Sequence, residues 1–496
     1  MMAKLKIVTF GCQANELDSQ RIAGVMAREG YSLTEDAHEA DLIILNGCSI
    51  REKAEQKLYS RLGTFQQLKA QNPHLRLGVT GCLGQREGEA LLRRFPYLDL
   101  VAGTGEIPRL PQLLARKEAT GSCPPPPAPT DLFPDEIELV RESRMKAWVS
   151  VMDGCDNFCA FCVVPFTRGR ERSRPPEAIA AEVAGLRAQG YREVTLLGQT
   201  VNSYGKKLEP PTTFAALLRQ VDGVAAPDLR VRFTTSFPPD VTPELAQAIA
   251  ALPSVCEHVH LPVQSGSSRV LERMGRGYRR QDYLEKIALL RAAIPDVAIS
   301  TDIIVGLPGE TEGDFQETLS LLETIRFDSL FAFKYSPRPQ TAAAGFPDQI
   351  PEAVQSTRLD RLQRLQASIA LERNRAWIGR QVEVLVDLDE VKRATPLAAG
   401  RTRQNKVVHF AAPDGVSEGE LVWVRIADAS AYHLKGEPVG RAAPRDGLRA
   451  SPRPGQRGAL GLLTLQCVGG METQWAQGAH EGRSSDGPEG GTPCQR

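Results

Sequence analysis

The chain has no net charge: Lys+Arg and Asp+Glu stand at 60 each among 496 residues. A general attraction to polyanions is thereby excluded, and any nucleic-acid surface must be a local patch. No apolar run approaches the roughly 18 residues that cross a bilayer as a helix. Residues 1–10 read straight into a strand, without a secretory h-region or a small-residue cleavage site. A disulfide framework is missing as well. Ten cysteines at irregular spacing in so long a chain point to a reducing cytosol and to metal ligation. What is present is core material, with 42% hydrophobic and 24% charged residues, enough for about three domains of roughly 150 residues.

The most specific stretch is Gly154-Cys155-Asp156-Asn157-Phe158-Cys159-Ala160-Phe161-Cys162. Three thiolates hold three irons of a cubane cluster and leave the fourth iron without a protein ligand, open to a cofactor. Three cysteines cannot pair among themselves, and structural zinc takes four ligands, so the disulfide and zinc readings are both poor.

Ahead of this stretch, apolar runs alternate with amphipathic ones. Leu5–Thr9, Leu42–Asn46 and Leu77–Thr80 read as strands, each followed by a helical pattern (about 17–29, 52–69 and 87–94). Such alternation predicts a parallel, doubly wound sheet. Cys12, Cys48 and Cys82 each fall just past a strand end and next to glycine, in loops that line the ligand-binding edge of an open α/β sheet. The competing reading is three unrelated small buried side chains; the repeated strand–Gly–Cys placement favours convergence.

Residues 118–143, with the run Cys123-Pro124-Pro125-Pro126-Pro127, read as a stiff extended linker in which Cys123 is a bystander. Six further strands follow at 147–152, 193–197, 229–233, 258–263, 298–305 and 330–335, with helical patterns between them. They predict a partial (β/α)6 barrel whose C-terminal mouth carries the three-cysteine stretch. Beyond a basic helical segment at 355–375, short alternating strands at 381–387, 407–410 and 421–426 suggest a small antiparallel β-barrel. Its Arg401-Thr402-Arg403-Gln404-Asn405-Lys406 run suits phosphate contacts. The expected division is 1–117, 118–143, 144–375 and 376–441, with a disordered tail over 442–496. Cys467 and Cys494 in that tail are incidental. His260 at a strand end reads as a structural hydrogen-bonder. The alternating Arg168, Arg170, Arg172 and Arg174 lean towards RNA contact or closure over a site.

With these motifs in order, the span 5–440 resembles the radical S-adenosylmethionine (SAM) methylthiotransferases. The matching pieces include Gly11-Cys12-Gln13 with Asn15, Asn46 through Ala54, Gly81-Cys82, Gly154 through Gly169, Leu197 through Asn202, His260 through Ser267 and Asp302 through Thr311. Gly400 through Val408 is similar to a TRAM domain, an RNA-binding barrel. The resemblance implies two 4Fe-4S clusters, one on Cys155, Cys159 and Cys162 and one on Cys12, Cys48 and Cys82. It implies SAM packed by Phe161 and held by Gln264, Ser265 and Asp302, no catalytic side chain beyond the cluster ligands, and RNA contacts from Arg401, Arg403 and Lys406. Cys48 through Ala54 and the basic loop favour the branch that methylthiolates carbon 2 of N6-isopentenyladenosine beside the tRNA anticodon. The partners implied are tRNA, an electron donor such as a flavodoxin or ferredoxin, and sulfur and cluster supply proteins. The expected protein is a cytoplasmic monomer with no membrane contact.

Overall fold

The computed structural model describes residues 2–115, 120–122, 139–141, 143–387, 397–412 and 416–441. Cys123 with its proline run, and the tail with Cys467 and Cys494, lie outside them.

The first layer is a parallel sheet of β1 (Ala3–Phe10), β2 (Tyr31–Leu33), β3 (Leu42–Gly47), β4 (Arg76–Thr80), β5 (Leu100–Ala102) and β6 (Thr120–Ser122). Its order is β2-β1-β3-β4-β5-β6. The run Leu42-Ile43-Ile44-Leu45 is buried throughout, as a central parallel strand with both faces covered demands. Helix α1 (Gln13–Arg28) packs Ile22, Val25 and Met26 into one facing core, and α2 (Glu52–Gln71) packs Leu58, Leu62 and Phe65 into the other. The sheet is therefore doubly wound, and the strand order reverses between β1 and β3. That switch point is where open α/β sheets bind ligands. The residues after β4, expected as a loop, instead form the first turn of α3 (Gly81–Glu87), and Gly88 at φ +52° separates α3 from the next helix, Glu89–Arg94.

The central unit holds β7 (Lys146–Ser150), the short antiparallel pair β8 (Met152–Asp153) and β9 (Arg172–Ser173), β10 (Glu193–Leu197), β11 (Arg230–Thr234), β12 (His258–His260), β13 (Ala298–Val305) and β14 (Ser329–Lys334). Two parallel triplets, β7-β10-β11 and β12-β13-β14, are joined by a parallel bridge between Val231 and Val255. Six strands thus curve in chain order around one large apolar core, the expected partial barrel. Five antiparallel-rich strands, β15 (Gln381–Val386), β16 (Leu397–Arg401), β17 (Val407–Ala411), β18 (Leu421–Ala429) and β19 (Leu434–Arg441), close into a small barrel. Val422, Val424 and Ile426 point inward while Trp423 and Arg425 face out, the period-two pattern of a strand with one wet face.

The docking of this small barrel gives the basic run partners within the protein. Arg403 does not face solvent: it pairs with Glu257 at 2.8 Å and donates to the Pro253 carbonyl. Lys406 is buried and donates to Asp328 at 2.9 Å and to Asn374 at 2.8 Å. The carbonyls of Arg401, Thr402 and Arg403 accept from Arg230 and Arg232 of β11. Glu257 and Asp328 immediately precede β12 and β14, and Lys146, at the start of β7, pairs with Asp387. The basic run therefore clamps the small barrel onto the N-terminal ends of the central strands. A buried lysine needs a carboxylate more than a loop lysine needs a phosphate, since an unpaired buried charge is costly. Asp328 also accepts from Arg373 at 2.9 Å. Asp328→Ala should strand two cations and lower stability by about 3–5 kcal/mol, read by chemical denaturation, with the first loss in probes on the small barrel such as Trp423.

Candidate cluster and radical sites

The three N-terminal cysteines come together at the switch point. Cys12 caps α1 after β1, Cys48 follows β3, and Cys82 lies in α3 after β4. The Cys48 amide donates to the Phe10 carbonyl at 2.7 Å, and Gly47 and Gly81 bridge, so the three strand ends are tied side by side. Beneath them runs a buried polar network. Asn15 donates to Asn46 at 3.1 Å, Asn46 donates to the Asn15 carbonyl at 2.7 Å and to Ser19 at 2.9 Å, and Ser19 meets Thr9 at 2.7 Å. Satisfied networks of this kind rigidify a core. Gly81 stands at φ +84°, where a Cβ would lie 2.2 Å from Asn46 Oδ1. Burial, and then Cys12, raise the Cys48 thiol; burial pushes Cys82 up to about 12.

The second set sits where β8 leaves the mouth of the central barrel. Gly154 at φ +79° allows the turn, since a Cβ there would meet the Arg170 carbonyl at 2.2 Å. The Asn157 amide approaches Cys155 Sγ at 3.4 Å, and Cys162 donates to the Cys159 carbonyl at 3.0 Å. Burial raises Cys155, and burial followed by Cys159 pushes Cys162 up to about 12. Each raised thiol gives up its proton on ligating a metal. All six of these cysteines are free. Among the described residues no three Cys, His, Asp or Glu side chains are placed to hold a single metal ion. A cubane's ligands bind different irons, so thiol-only trios, one spread over three strand ends and one on a single loop, fit it by chemistry. Buried hydroxyls without a hydrogen-bond partner, Ser49 Oγ beside Cys48 and Thr80 Oγ1 before Cys82, are available to such a group.

Arg168 joins the two sets. It is 5% exposed and donates to Asp18 of α1 at 2.5 Å and to Asp153 of β8 at 3.5 Å. Burial works against its charge, but Asp18, Cys82 and Asp153 outweigh that and hold it firmly protonated. The Thr104 hydroxyl donates to the Thr167 carbonyl at 2.9 Å across the same joint. A second latch is Arg338, which reaches Glu55 at 2.9 Å and the Ile50 carbonyl at 3.1 Å, while Arg86 pairs with the same Glu55. Both arginines thus brace the loop that follows Cys48. Of the alternating arginines, Arg168, Arg172 and Arg174 turn inward and only Arg170 stays exposed.

The residues expected around SAM divide. Gln264 holds φ +74°, an uncommon conformation for a side chain of its size that marks functional sites. Its amide donates to the Asp302 carbonyl at 2.9 Å. Asp302 faces His260 Nε2 at 3.4 Å, and His260 meets Ser300 at 2.9 Å, the structural role expected of it. Ser265 is not brought to this site. It is fully buried against Thr318, at 3.4 Å, and accepts from the Ser267 amide. Phe161, partly buried, packs against the apolar cluster that includes Met274, Leu307 and Tyr335. Sequence reasoning missed Arg276, which donates to Cys159 Sγ at 3.3 Å and to the Pro262 carbonyl at 3.1 Å. It lies 117 residues from Cys159, between two glycines, and nothing local marks it. Glu171 was missed too; burial raises its carboxyl, and it accepts from Ser203 at 2.6 Å. Gln199 Oε1 and Ser236 Oγ, just past β10 and β11, are buried without a partner and available to a ligand.

Two family models match the chain: "Uncharacterized protein family UPF0004" over residues 4–103 and the Radical SAM superfamily over residues 149–322. Among solved structures, the radical S-adenosylmethionine methyltransferase TsrM from Kitasatospora setae aligns with TM-score 0.53 at 15% identity, over 69% of this chain and 77% of its own. That likeness speaks to fold alone. The tRNA-2-methylthio-N(6)-dimethylallyladenosine synthase of Syntrophobacter fumaroxidans is 48% identical over 436 residues, 87% of this chain and 95% of its own length. The enzyme of the same name from Thermoanaerobacter pseudethanolicus is 46% identical, over 87% and 92%. Fold and paired thiol sites define a radical SAM enzyme of the methylthiotransferase class. Within that class, the chain belongs to the tRNA-2-methylthio-N(6)-dimethylallyladenosine synthase family.

Gly81→Ala should drive a Cβ into Asn46 and Gly47 and splay the Cys82 strand end. Iron in the reconstituted protein is expected to fall from about eight to about four per chain, with the far-ultraviolet circular dichroism retained.

Proposed function

We infer that the protein transfers a methylthio group to carbon 2 of N6-dimethylallyladenosine beside the tRNA anticodon, using SAM and two 4Fe-4S clusters. Identity of 46–48% to synthases of that name over 87% of the chain carries this reading. The two thiol sets at one joint give it a chemical basis. Carbon 2 of an adenine bears a hydrogen that is neither acidic nor nucleophilic, so acid–base side chains have little hold on it. Bound at these sites, the clusters and SAM supply one-electron cleavage of a sulfonium and a sulfur atom for transfer.

The chain's own residues do the rest. Cys155, Cys159 and Cys162 would hold the cluster that meets SAM, and Cys12, Cys48 and Cys82 the cluster associated with sulfur. Arg276 donates a hydrogen bond to the Cys159 sulfur and so orients that ligand. Gln264 and Asp302 would meet polar groups of SAM, joined by Gln199 and Ser236, while Phe161 and its apolar neighbours would exclude water from one side. Arg168 is a positioning residue whose two carboxylates, Asp18 and Asp153, tie together the segments that carry the two thiol sets. With Arg403 and Lys406 committed to the joint below, RNA contact by the small barrel falls to its outward face, where Trp423 and Arg425 stand exposed. The domains divide near residues 117, 143 and 375. The protein acts as a cytoplasmic monomer served by a flavodoxin- or ferredoxin-type donor and by sulfur and cluster supply proteins. No helix among the described residues is long and apolar enough to cross a membrane.

Two substitutions test the division of labour. Cys159→Ala should lose one cluster and all SAM cleavage. Cys48→Ala should still cleave SAM, read as 5′-deoxyadenosine, yet transfer no methylthio group to tRNA; methylthiolation by that variant would refute the two-site scheme. Nucleoside analysis of tRNA from a deletion strain should show the dimethylallyl nucleoside without its methylthio group. If the methylthio nucleoside persists there, another substrate, such as threonylcarbamoyl-adenosine, must be sought.

A further inference from the structure

Large aromatic side chains exposed singly are ordinary on a protein surface, but the mouth of the central barrel carries two in contact. Phe158 is 53% exposed and Phe166 is 37% exposed, and their rings meet edge to face at 6.1 Å. The guanidinium of Arg170 lies 5.1 Å from the Phe158 ring centre, and its side chain is 64% exposed. Phe158 sits between Cys155 and Cys159, and Phe166 lies four residues past Cys162, so the pair borders the radical site on both sides of its thiol loop.

The pair is held rigidly. The Ala160 amide donates to the Met274 carbonyl at 2.8 Å, and the Ala160 carbonyl accepts from Ala343 at 2.8 Å. Asp156 fixes Arg170 at 2.8 Å, pairs with Lys207 and accepts from the Glu171 amide at 3.2 Å. Flat apolar rings presented in advance, with a cation on one face and Lys207 close by, match an unstacked nucleobase and its phosphate. A packed core has no use for this arrangement, and the described residues leave both rings partly exposed.

We propose that Phe158, with Phe166 and Arg170, forms a stacking platform for a nucleobase next to the target adenosine in the single-stranded anticodon loop. The proposal rests on the tRNA reading above and assigns part of its RNA contact to the radical-site mouth. An adenosine whose carbon 2 must approach the barrel mouth leaves its stack, and the neighbour it exposes needs a new flat surface.

The test uses the full-length, cluster-reconstituted protein and an anticodon stem-loop RNA bearing N6-dimethylallyladenosine, with affinity measured by fluorescence anisotropy across salt concentrations. Phe158→Leu and Phe166→Leu keep apolar bulk without a π-face. They should each weaken binding about 5- to 100-fold at every salt concentration. Phe158→Trp should bind like the wild type. Arg170→Gln should reduce the slope of log affinity against log salt by about 0.7, the loss of one phosphate contact to a single strand. Iron content in each variant should equal that of the wild type. Unchanged affinity in Phe158→Leu overturns the platform, as does lost affinity that tracks lost iron in both Leu and Trp variants. If the Leu variants bind RNA normally but accept electrons poorly from a flavodoxin-type donor, the surface serves a protein and the proposal fails. If the wild type itself does not bind the RNA, the failure lies with the tRNA reading.

Discussion

A guanidinium buried between two carboxylates, one from helix α1 and one from strand β8, holds this architecture in register. Arg168 has left water almost completely, and such a charge persists only where its partners are fixed. Asp18 belongs to the first turns of α1, one turn and a half beyond Cys12; Asp153 immediately precedes the loop that carries Cys155. The ion cluster therefore positions the thiol sets through the chain segments that bear them. The price of removing either carboxylate would be about 3–5 kcal/mol, and the cost would fall on the joint between the two sites.

Beneath the first thiol set, the geometry depends on small groups. Asn15, Asn46, Ser19 and Thr9 form a satisfied network within the sheet edge, and Gly47 and Gly81 let two strand ends touch. A Cβ at Gly47 would stand 2.7 Å from Leu58 of α2. The site is thus close-packed up to the sulfurs, which suits a rigid cluster better than a mobile ligand.

Much of this could be read in the sequence. The strand–Gly–Cys repeat located the first thiol set because parallel strands place their following loops on one edge. The spacing of Cys155, Cys159 and Cys162 located the second, and the six central strands announced themselves by apolar period. The protein partners of Arg403 and Lys406 could not be read from the basic run at 401–406, because lysine and arginine look alike in a sequence whether they await a phosphate or a buried carboxylate. Glu257 and Asp328 supply those carboxylates from more than 70 residues away. Nor could the contact of the Ser265 hydroxyl with Thr318, 53 residues away, be read locally. Arg276 and Arg338 were invisible because their partners, Cys159 and Glu55, become neighbours only through the fold.

The clamp of the small barrel on the lower ends of the central strands has a metric consequence. β10 alone runs five residues from Glu193, at the clamp, to Leu197, near the mouth, and a strand rises about 3.3 Å per residue. The four steps along β10 therefore set about 13 Å of rigid sheet between the small barrel's anchor and the strand ends at the mouth. An RNA that touches both ends is measured against a fixed ruler. An RNA that reached both the small barrel and the reacting adenosine's site would have to span that distance, which a free nucleoside would not.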